Sequence, residues 1–196
     1  MQILNAFPTK VGLFSVENST ELNKGLSDFV YSIRNEESPQ RSMVGGYHTK
    51  EDLLTRNNPF IKSFYSIIVN QISEYFKNFS TKPVGQNTKL VSWAMIYGAG
   101  HYSKPHTHPG ADFSSAYYCK IPNLSKGEGD FIVTDPRHSA KWDKNYSEDT
   151  SLTITPKEGL GIIFPGWLEH YVTPHNLNED RICITTNIFI DHGTFF

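Results

Sequence analysis

The sequence predicts a mostly β fold, a sandwich or barrel, supported by helices that come first in the chain. Three observations lead there. The apolar pattern has a helical period up to about Phe79 and changes to short strand-like runs from Lys89 onward. Those runs are mostly parted by Gly, Pro, Asn and Asp, a spacing typical of sandwiches and barrels. Aromatic residues make up 13% of the 196 residues, beside 11 prolines and 14 glycines, a balance that suits strands and turns better than a helical bundle.

A first helix is expected in STELNKGLSDFVYSIRNEE, where Leu22, Leu26, Phe29, Val30 and Ile33 recur at helical spacing behind a Ser/Thr cap. A second is expected in NPFIKSFYSIIVNQISEYFKNFS. There Ile61, Phe64, Ile68, Ile72, Tyr75 and Phe79 form one apolar stripe, with Asn58 as cap and Pro59 in the first turn. Such a stripe has to be covered, and a sheet is the ordinary cover. Strands are expected in KLVSWAMIY, SSAYYCKI, DFIVTD, SLTITP, GLGIIFP, EHYVTP and RICITTNIFI. The polar stretch from His138 to Thr150, HSAKWDKNYSEDT, reads as a loop, and loops of that length beside a barrel mouth often serve function. With no internal repeat and no low-complexity tract, the chain is expected to be one domain, with residues 1–88 as helical support and 89–192 as the strand core.

Composition narrows the function classes. Net charge is -2, and no cluster of lysines and arginines marks a phosphate-binding stripe, so nothing asks for nucleic acid. No basic segment leads into an apolar one near Met1, and nowhere do 18 apolar residues run together, so neither export nor membrane insertion is expected. Cys119 and Cys183 sit inside apolar strand-like runs, which suits buried thiols in a reducing compartment; a cytoplasmic protein is the default expectation.

The chemistry-bearing stretch is KPHTHPGADFSSAYYC, Lys104 to Cys119. On a strand, residues i and i+2 project to the same face, so His106 and His108 can reach one ion together. His170, in FPGWLEHYVTPHN at the start of a β-type run, is the candidate for a third ligand. The other histidines fit less well: His48 precedes the second helix, His101 is in a turn, His138 and His175 are in loops, and His192 is near the end. By itself the spacing is weak, since two hydrogen-bonding or surface histidines would look the same.

The last strand adds weight. One face of RICITTNIFI carries Ile182, Ile184, Thr186, Ile188 and Ile190, fit to pack against helices; the other carries Arg181, Cys183, Thr185, Asn187 and Phe189. A guanidinium and a hydroxyl on one face of so apolar a strand suggest an interior that holds an anion, because a buried Arg without an acidic partner is costly. An internal salt bridge or a solvent-exposed edge would also account for Arg181.

These residues carry a resemblance. YGAGHYSKPHTHPGADFSSAYYCKIP, followed by GDFIVTDPR, TPKEGLGIIFPGWLEHYVTP and RICITTNIFI, resembles the Fe(II)/2-oxoglutarate-dependent oxygenases, closest to their short prolyl-hydroxylase-like branch. The similarity runs from about Val91 to Ile190, and MVGGYHTKEDL upstream resembles the same branch. It implies a double-stranded β-helix, a jelly-roll or cupin-like barrel of antiparallel strands with helices on one side. It also implies a dioxygenase that uses Fe(II), 2-oxoglutarate and O2 to hydroxylate a C–H bond of a peptide residue or small molecule, releasing succinate and CO2. Carried over residue by residue, the resemblance makes His106, position 108 and His170 the iron ligands and Arg181 the anchor for the far carboxylate of 2-oxoglutarate. Tyr118 helps hold that carboxylate, with Thr185 as a second hydroxyl contact.

Position 108 departs from the family pattern, which places a carboxylate there. Either three histidines hold the metal, or Asp112 folds back through the Pro-Gly turn to supply the carboxylate. The first is preferred, because Asp112 leads into FSSAYY and would have to leave its strand register. Three neutral imidazoles leave the site one positive charge higher than two imidazoles and a carboxylate would. Arg137, Asn187 and Tyr102 are weaker candidates for substrate contact, with turn-stabilising or packing roles as the plainer reading, and Trp93 and Tyr97 either line the pocket or fill the core. Trp167 is expected in the turn that delivers His170. Two other functions remain open: a cupin-like three-histidine protein acting without 2-oxoglutarate, as a dioxygenase or hydrolase, and a metal-free binding module.

Overall fold

The long stripe of the second predicted helix becomes α2 (Pro59–Phe76), and its start is built as the sequence indicates: the Asn58 side chain accepts from the Phe60 and Ile61 N–H groups, and Pro59 occupies the first turn. Ile61, Phe64, Ile68, Ile72 and Tyr75 are buried, whereas Phe79 lies beyond the helix and packs its ring on Phe113. The first predicted helix becomes α1 (Thr20–Ser32). Its expected side-chain cap is not made: Ser19 has helical dihedrals, and its hydroxyl accepts from the Asn23 side chain instead. Asn23 in turn accepts from the buried Tyr117 hydroxyl, so this polar chain ties α1 to the sheet beneath it.

The computed structural model describes residues 1–2, 4, 6–39, 41–81, 83–137 and 150–191. Residues 138–149, which hold nearly all of the polar loop with His138, and His192 lie outside the described residues.

All seven predicted strands form, within a residue or two of the expected bounds. They are β4 (Lys89–Tyr97), β6 (Phe113–Lys120), β7 (Phe131–Thr134), β8 (Ser151–Ile154), β9 (Leu160–Pro165), β10 (His170–Val172) and β11 (Arg181–Phe189). Four more join them: β1 (Gly12–Ser15), β2 (Met43–Val44), β3 (Tyr47–His48) and β5 (Tyr102–His106). The first three fall where helical periodicity was the expectation. They are too short to show a period of their own, and pairing with long strands already in place holds them.

The strands form two antiparallel sheets, a major one in the order β1-β9-β6-β11-β4-β3 and a minor one in the order β2-β5-β10-β7-β8. This is a jelly roll of two facing sheets rather than a closed barrel, with β1 and β3 at the edges of one sheet and β2 and β8 at the edges of the other. On one side the sheets are bridged by a short segment, because β2 pairs with β5 while β3, a few residues later, pairs with β4.

The core is split accordingly. One cluster lies between the helices and the outer face of the major sheet, where Leu26, Val30, Phe64 and Ile68 meet Ile182, Ile184 and Ile188. Each such buried side chain contributes about 1.5–3 kcal/mol of transfer free energy. The second cluster lies between the sheets, with Tyr97, Tyr118, Phe131, Phe164 and Cys183 among its members. The alternation of β11 is therefore as read from the sequence: isoleucines toward the helices, Arg181, Cys183, Thr185 and Asn187 toward the inter-sheet space.

Candidate metal and cofactor centre

β5 and β10 are neighbours, and their register places His106 opposite His170. His108 is not on β5 as the i, i+2 argument required, because the strand ends at His106. It is brought round by the turn after that strand, where its backbone N–H donates to the Gly166 carbonyl at 2.7 Å. Sequence pairing and tertiary closure thus bring three imidazoles together. One ring nitrogen from each lies within 4.8 Å of the others, and this is the group of metal-ligating side chains found among the described residues.

Local hydrogen bonds aim these nitrogens. His106 Nδ1 lies 2.7 Å from the Lys104 carbonyl, and His170 Nδ1 lies 2.9 Å from the Leu168 carbonyl. A carbonyl only accepts, so each Nδ1 carries the proton and each Nε2 keeps its lone pair. The His108 and His170 Nε2 atoms face one another at 3.3 Å. Burial holds the imidazoles neutral: it lowers the pKa of His106, takes His108 down to about 3 and takes His170 to about 2, with His106 adding a smaller push in the last two. Converging neutral imidazoles, His108 and His170 buried and His106 half-buried, are what a divalent cation needs.

Asp112 is placed elsewhere. Its carboxylate accepts from the Ile190 N–H at 2.7 Å, and its backbone bridges Ile188 and Gly166. It braces the turn that carries His108, and its carboxylate is not in the ligand group.

The same three histidines line a cavity of about 300 Å³ between the sheets, and Arg181 lies in its wall. Arg181 is 1% exposed, and no acidic side chain lies within ion-pair distance of it among the described residues. Its guanidinium carbon lies 5.2 Å from the Tyr97 ring and 5.0 Å from the Tyr118 ring, and Nη1 makes a long contact of 3.6 Å to Cys183 Sγ. Arg181 Nε and the Tyr118 hydroxyl are both buried without a well-formed hydrogen bond. Burial drives the Tyr118 pKa upward, so its hydroxyl stays protonated and can donate. Two unsatisfied buried donors side by side, one of them cationic, match a carboxylate.

The register grades the cavity wall along β11. Arg181 is opposite Tyr97, Cys183 opposite Met95 and Tyr118, Thr185 opposite Trp93 and Ala116, and Asn187 opposite Val91 and Ser114. Thr185 and Asn187 line the cavity; Asn187 Oδ1 accepts from Ser114 at 3.0 Å. Tyr102 does not line it, and Arg137 is exposed and paired in a fork to Asp135 at 2.7 and 3.0 Å, beside a separate groove lined by Leu4, Phe7, Pro8 and Val11 among others. The turn reading of Arg137 is the one its contacts support. Trp167 lies, as expected, in the turn before His170.

Sequence reasoning passed over one wall. Arg41, Ser42, His48 and Glu51 line the cavity from the segment that bridges the two sheets, and Trp93 of β4 stacks on His48 at 5.5 Å. The only signal was MVGGYHTKEDL itself, since neither short strand has a readable period.

A two-sheet jelly roll with a three-histidine group at one place in its cavity and, at another, a buried Arg and Tyr with no acidic ion-pair partner among the described residues defines a non-haem metal protein of the 2-oxoacid-dependent oxygenase type. The comparisons agree. Residues 91–187 match the family model described as "Putative 2OG-Fe(II) oxygenase", and the chain belongs to that family of oxidoreductases, whose cofactors are Fe(II) and 2-oxoglutarate. A prolyl-4-hydroxylase from Pseudomonas putida superposes with a TM-score of 0.67 at 12% identity, over 94% of both chains. A prolyl hydroxylase from Trichoplax adhaerens, solved with a hypoxia inducible factor peptide fragment, does so with 0.66 at 14% identity, over 91% of this chain and 83% of that one. A 2OG-Fe(II) oxygenase family oxidoreductase from Burkholderia pseudomallei gives 0.59 at 13% identity, with 91% and 83% covered. No curated protein matches the chain.

Proposed function

We propose that the protein is an Fe(II)- and 2-oxoglutarate-dependent dioxygenase that hydroxylates a C–H bond of a peptide residue or a small molecule. His106, His108 and His170 hold the iron, and Arg181 holds the far carboxylate of 2-oxoglutarate with Tyr118 and Thr185. When bound, the iron and the 2-oxoacid couple O2 to substrate hydroxylation, with succinate and CO2 as the other products. The rest falls to the chain's own residues. Arg181 and the Tyr118 hydroxyl orient the acid by donating to it, the Nδ1–H bonds of His106 and His170 keep their Nε2 lone pairs directed inward, and Phe131 and Phe164, packed on His170, keep water off the ring.

The observation that carries this reading is the buried Arg181, without an acidic partner, in the same small cavity as the three histidines. A buried guanidinium without an acidic partner among the described residues is best explained by an anion from outside the fold. The reading treats all 196 residues as one working unit, supported by the register of β1 against β9. It puts the protein in the cytoplasm, supported by two buried, unpaired thiols; among the described residues, no helix is long and apolar enough to cross a membrane.

The test is an anaerobic titration with Fe(II) and then 2-oxoglutarate, following the weak visible charge-transfer band of a chelated ferrous 2-oxoacid. The band should form in the wild type and demand far more 2-oxoglutarate in Arg181→Ala. Iron binding with no band at any 2-oxoglutarate concentration would favour a three-histidine protein that works without the 2-oxoacid.

A further inference from the structure

The cavity has four histidines and the metal group uses three. The fourth, His48, is 2% exposed and sits at the edge of the major sheet, paired with Met95 and stacked at 17° on Trp93. Trp93 contacts both His48 and the metal group, its ring 5.5 Å from that of His48 and 5.9 Å from that of His108. His48 lines the same cavity but is outside the ligand group. Its Nδ1 lies 2.6 Å from the Thr49 carbonyl and so carries the proton. Burial lowers its pKa, and the ring is neutral. Nε2 keeps its lone pair, and His48 is a residue of the cavity wall.

The position of His48 is built in rigidly. Gly45 and Gly46 both have positive φ, and a side chain at either would collide, Gly45 with the His101 ring at 2.2 Å and Gly46 with the Ile96 carbonyl at 2.3 Å. The Gly98 N–H donates to His101 Nδ1 and holds that ring in place. Ser38 caps the His48 N–H. A turn so closely fitted fixes the two residues next to it, Tyr47 in the core and His48 in the cavity.

Charge says what this wall can take. Arg41 and Glu51 pair at 2.9 Å, so beyond the Arg181 anchor the described cavity residues carry no net charge. Little space is left: about 300 Å³ has to hold 2-oxoglutarate and the reacting part of the substrate.

We propose that His48 and Trp93 form the substrate subsite. The edge of the Trp93 ring flanks an uncharged group, and His48 Nε2 accepts a hydrogen bond from an N–H or O–H of the substrate. The subsite deepens the functional reading above and rests on it for the identity of the reaction, while its binding chemistry stands on the chain's own residues.

Two uncharged probes differing in one N–H test it: N-methylacetamide and N,N-dimethylacetamide, titrated into the whole chain without metal or 2-oxoglutarate. The readouts are probe affinity and the His48 Nε2 resonance. The N–H probe should bind on the order of tenfold tighter, the usual consequence of leaving a buried acceptor unmade, and should move the Nε2 resonance. His48→Phe, which keeps a ring against Trp93, should lose the preference, and His48→Gln, whose amide oxygen accepts, should keep part of it. Equal binding of the two probes, an unmoved Nε2 resonance, or an undiminished preference in His48→Phe overturns the subsite. These measurements do not involve the ferrous 2-oxoacid band. A band without a probe preference removes the subsite alone; a preference without a band keeps the subsite and removes the reading of function.

Discussion

Replacing Arg181 by Met separates an anchor for an external anion from a structural arginine, because the two give opposite signs. Taking a guanidinium out of water costs several kcal/mol even after the protein relaxes. Against that cost the folded chain sets two cation–π contacts, at 5.0 and 5.2 Å, worth about 1–2 kcal/mol each. It adds one long contact to Cys183 Sγ and no ion pair among the described residues. The protein without 2-oxoglutarate is therefore left with a deficit of roughly 1–2 kcal/mol, which an apolar side chain of similar length removes. At about 2–4 °C per kcal/mol for a chain of this size, Arg181→Met should melt roughly 2–8 °C above the wild type when both are free of metal and 2-oxoglutarate. The order should reverse with the ligand. At a hundredfold excess over its Kd, 2-oxoglutarate adds about 2.7 kcal/mol to the wild type, and the variant, having lost the anchor, should show no such rise. Differential scanning fluorimetry of both proteins, with and without Fe(II) and 2-oxoglutarate under anaerobic conditions, reads all four states. An apo variant that melts several degrees below the wild type would refute the reasoning, since it would mean the fold already satisfies the guanidinium.

Three further outcomes are expected. His106→Ala and His170→Ala should each lower metal affinity by at least about a hundredfold, the scale on which losing a ligand exceeds losing its outer partner, as read by competition with a chromogenic chelator. Asp112→Ala should leave metal stoichiometry at one per chain and cost about 1–2 kcal/mol of stability, because the Ile190 N–H loses its acceptor; loss of the metal instead would make Asp112 the ligand in place of His108. Asn58→Ala should cost about 1 kcal/mol in urea denaturation by removing the cap on α2, with no effect on metal or 2-oxoglutarate binding.

Much of the architecture was legible because the relevant signals are local. The stripe of α2, the seven long or bounded strands and the two faces of β11 arise from periods of 3.6 and 2, which a chain carries wherever it is placed. The weak points share one cause. Strands β1, β2 and β3 have two to four residues each, lie in a part of the chain where the apolar pattern is helical, and exist through their partners. Ser19 has the residue type of a cap but not its dihedrals, since Asn23 draws its hydroxyl into a tertiary network with Tyr117.

The site divides along the same line. His106, His108, His170 and Arg181 stood out because residue type and neighbouring pattern mark them, and the family pattern added Tyr118. By itself the sequence determined which residues are able to hold a metal and an acid and which strand faces carry them. It did not determine that His108 reaches the group by a turn beyond the strand, that Asp112 is spent on the Ile190 N–H, that Arg137 and Tyr102 stand away from the cavity, or that His48 stands inside it. Those points were decided by the tertiary structure, because hydrogen-bond partners and cavity walls are formed by segments tens of residues apart, and only the register between two sheets says which of them meet.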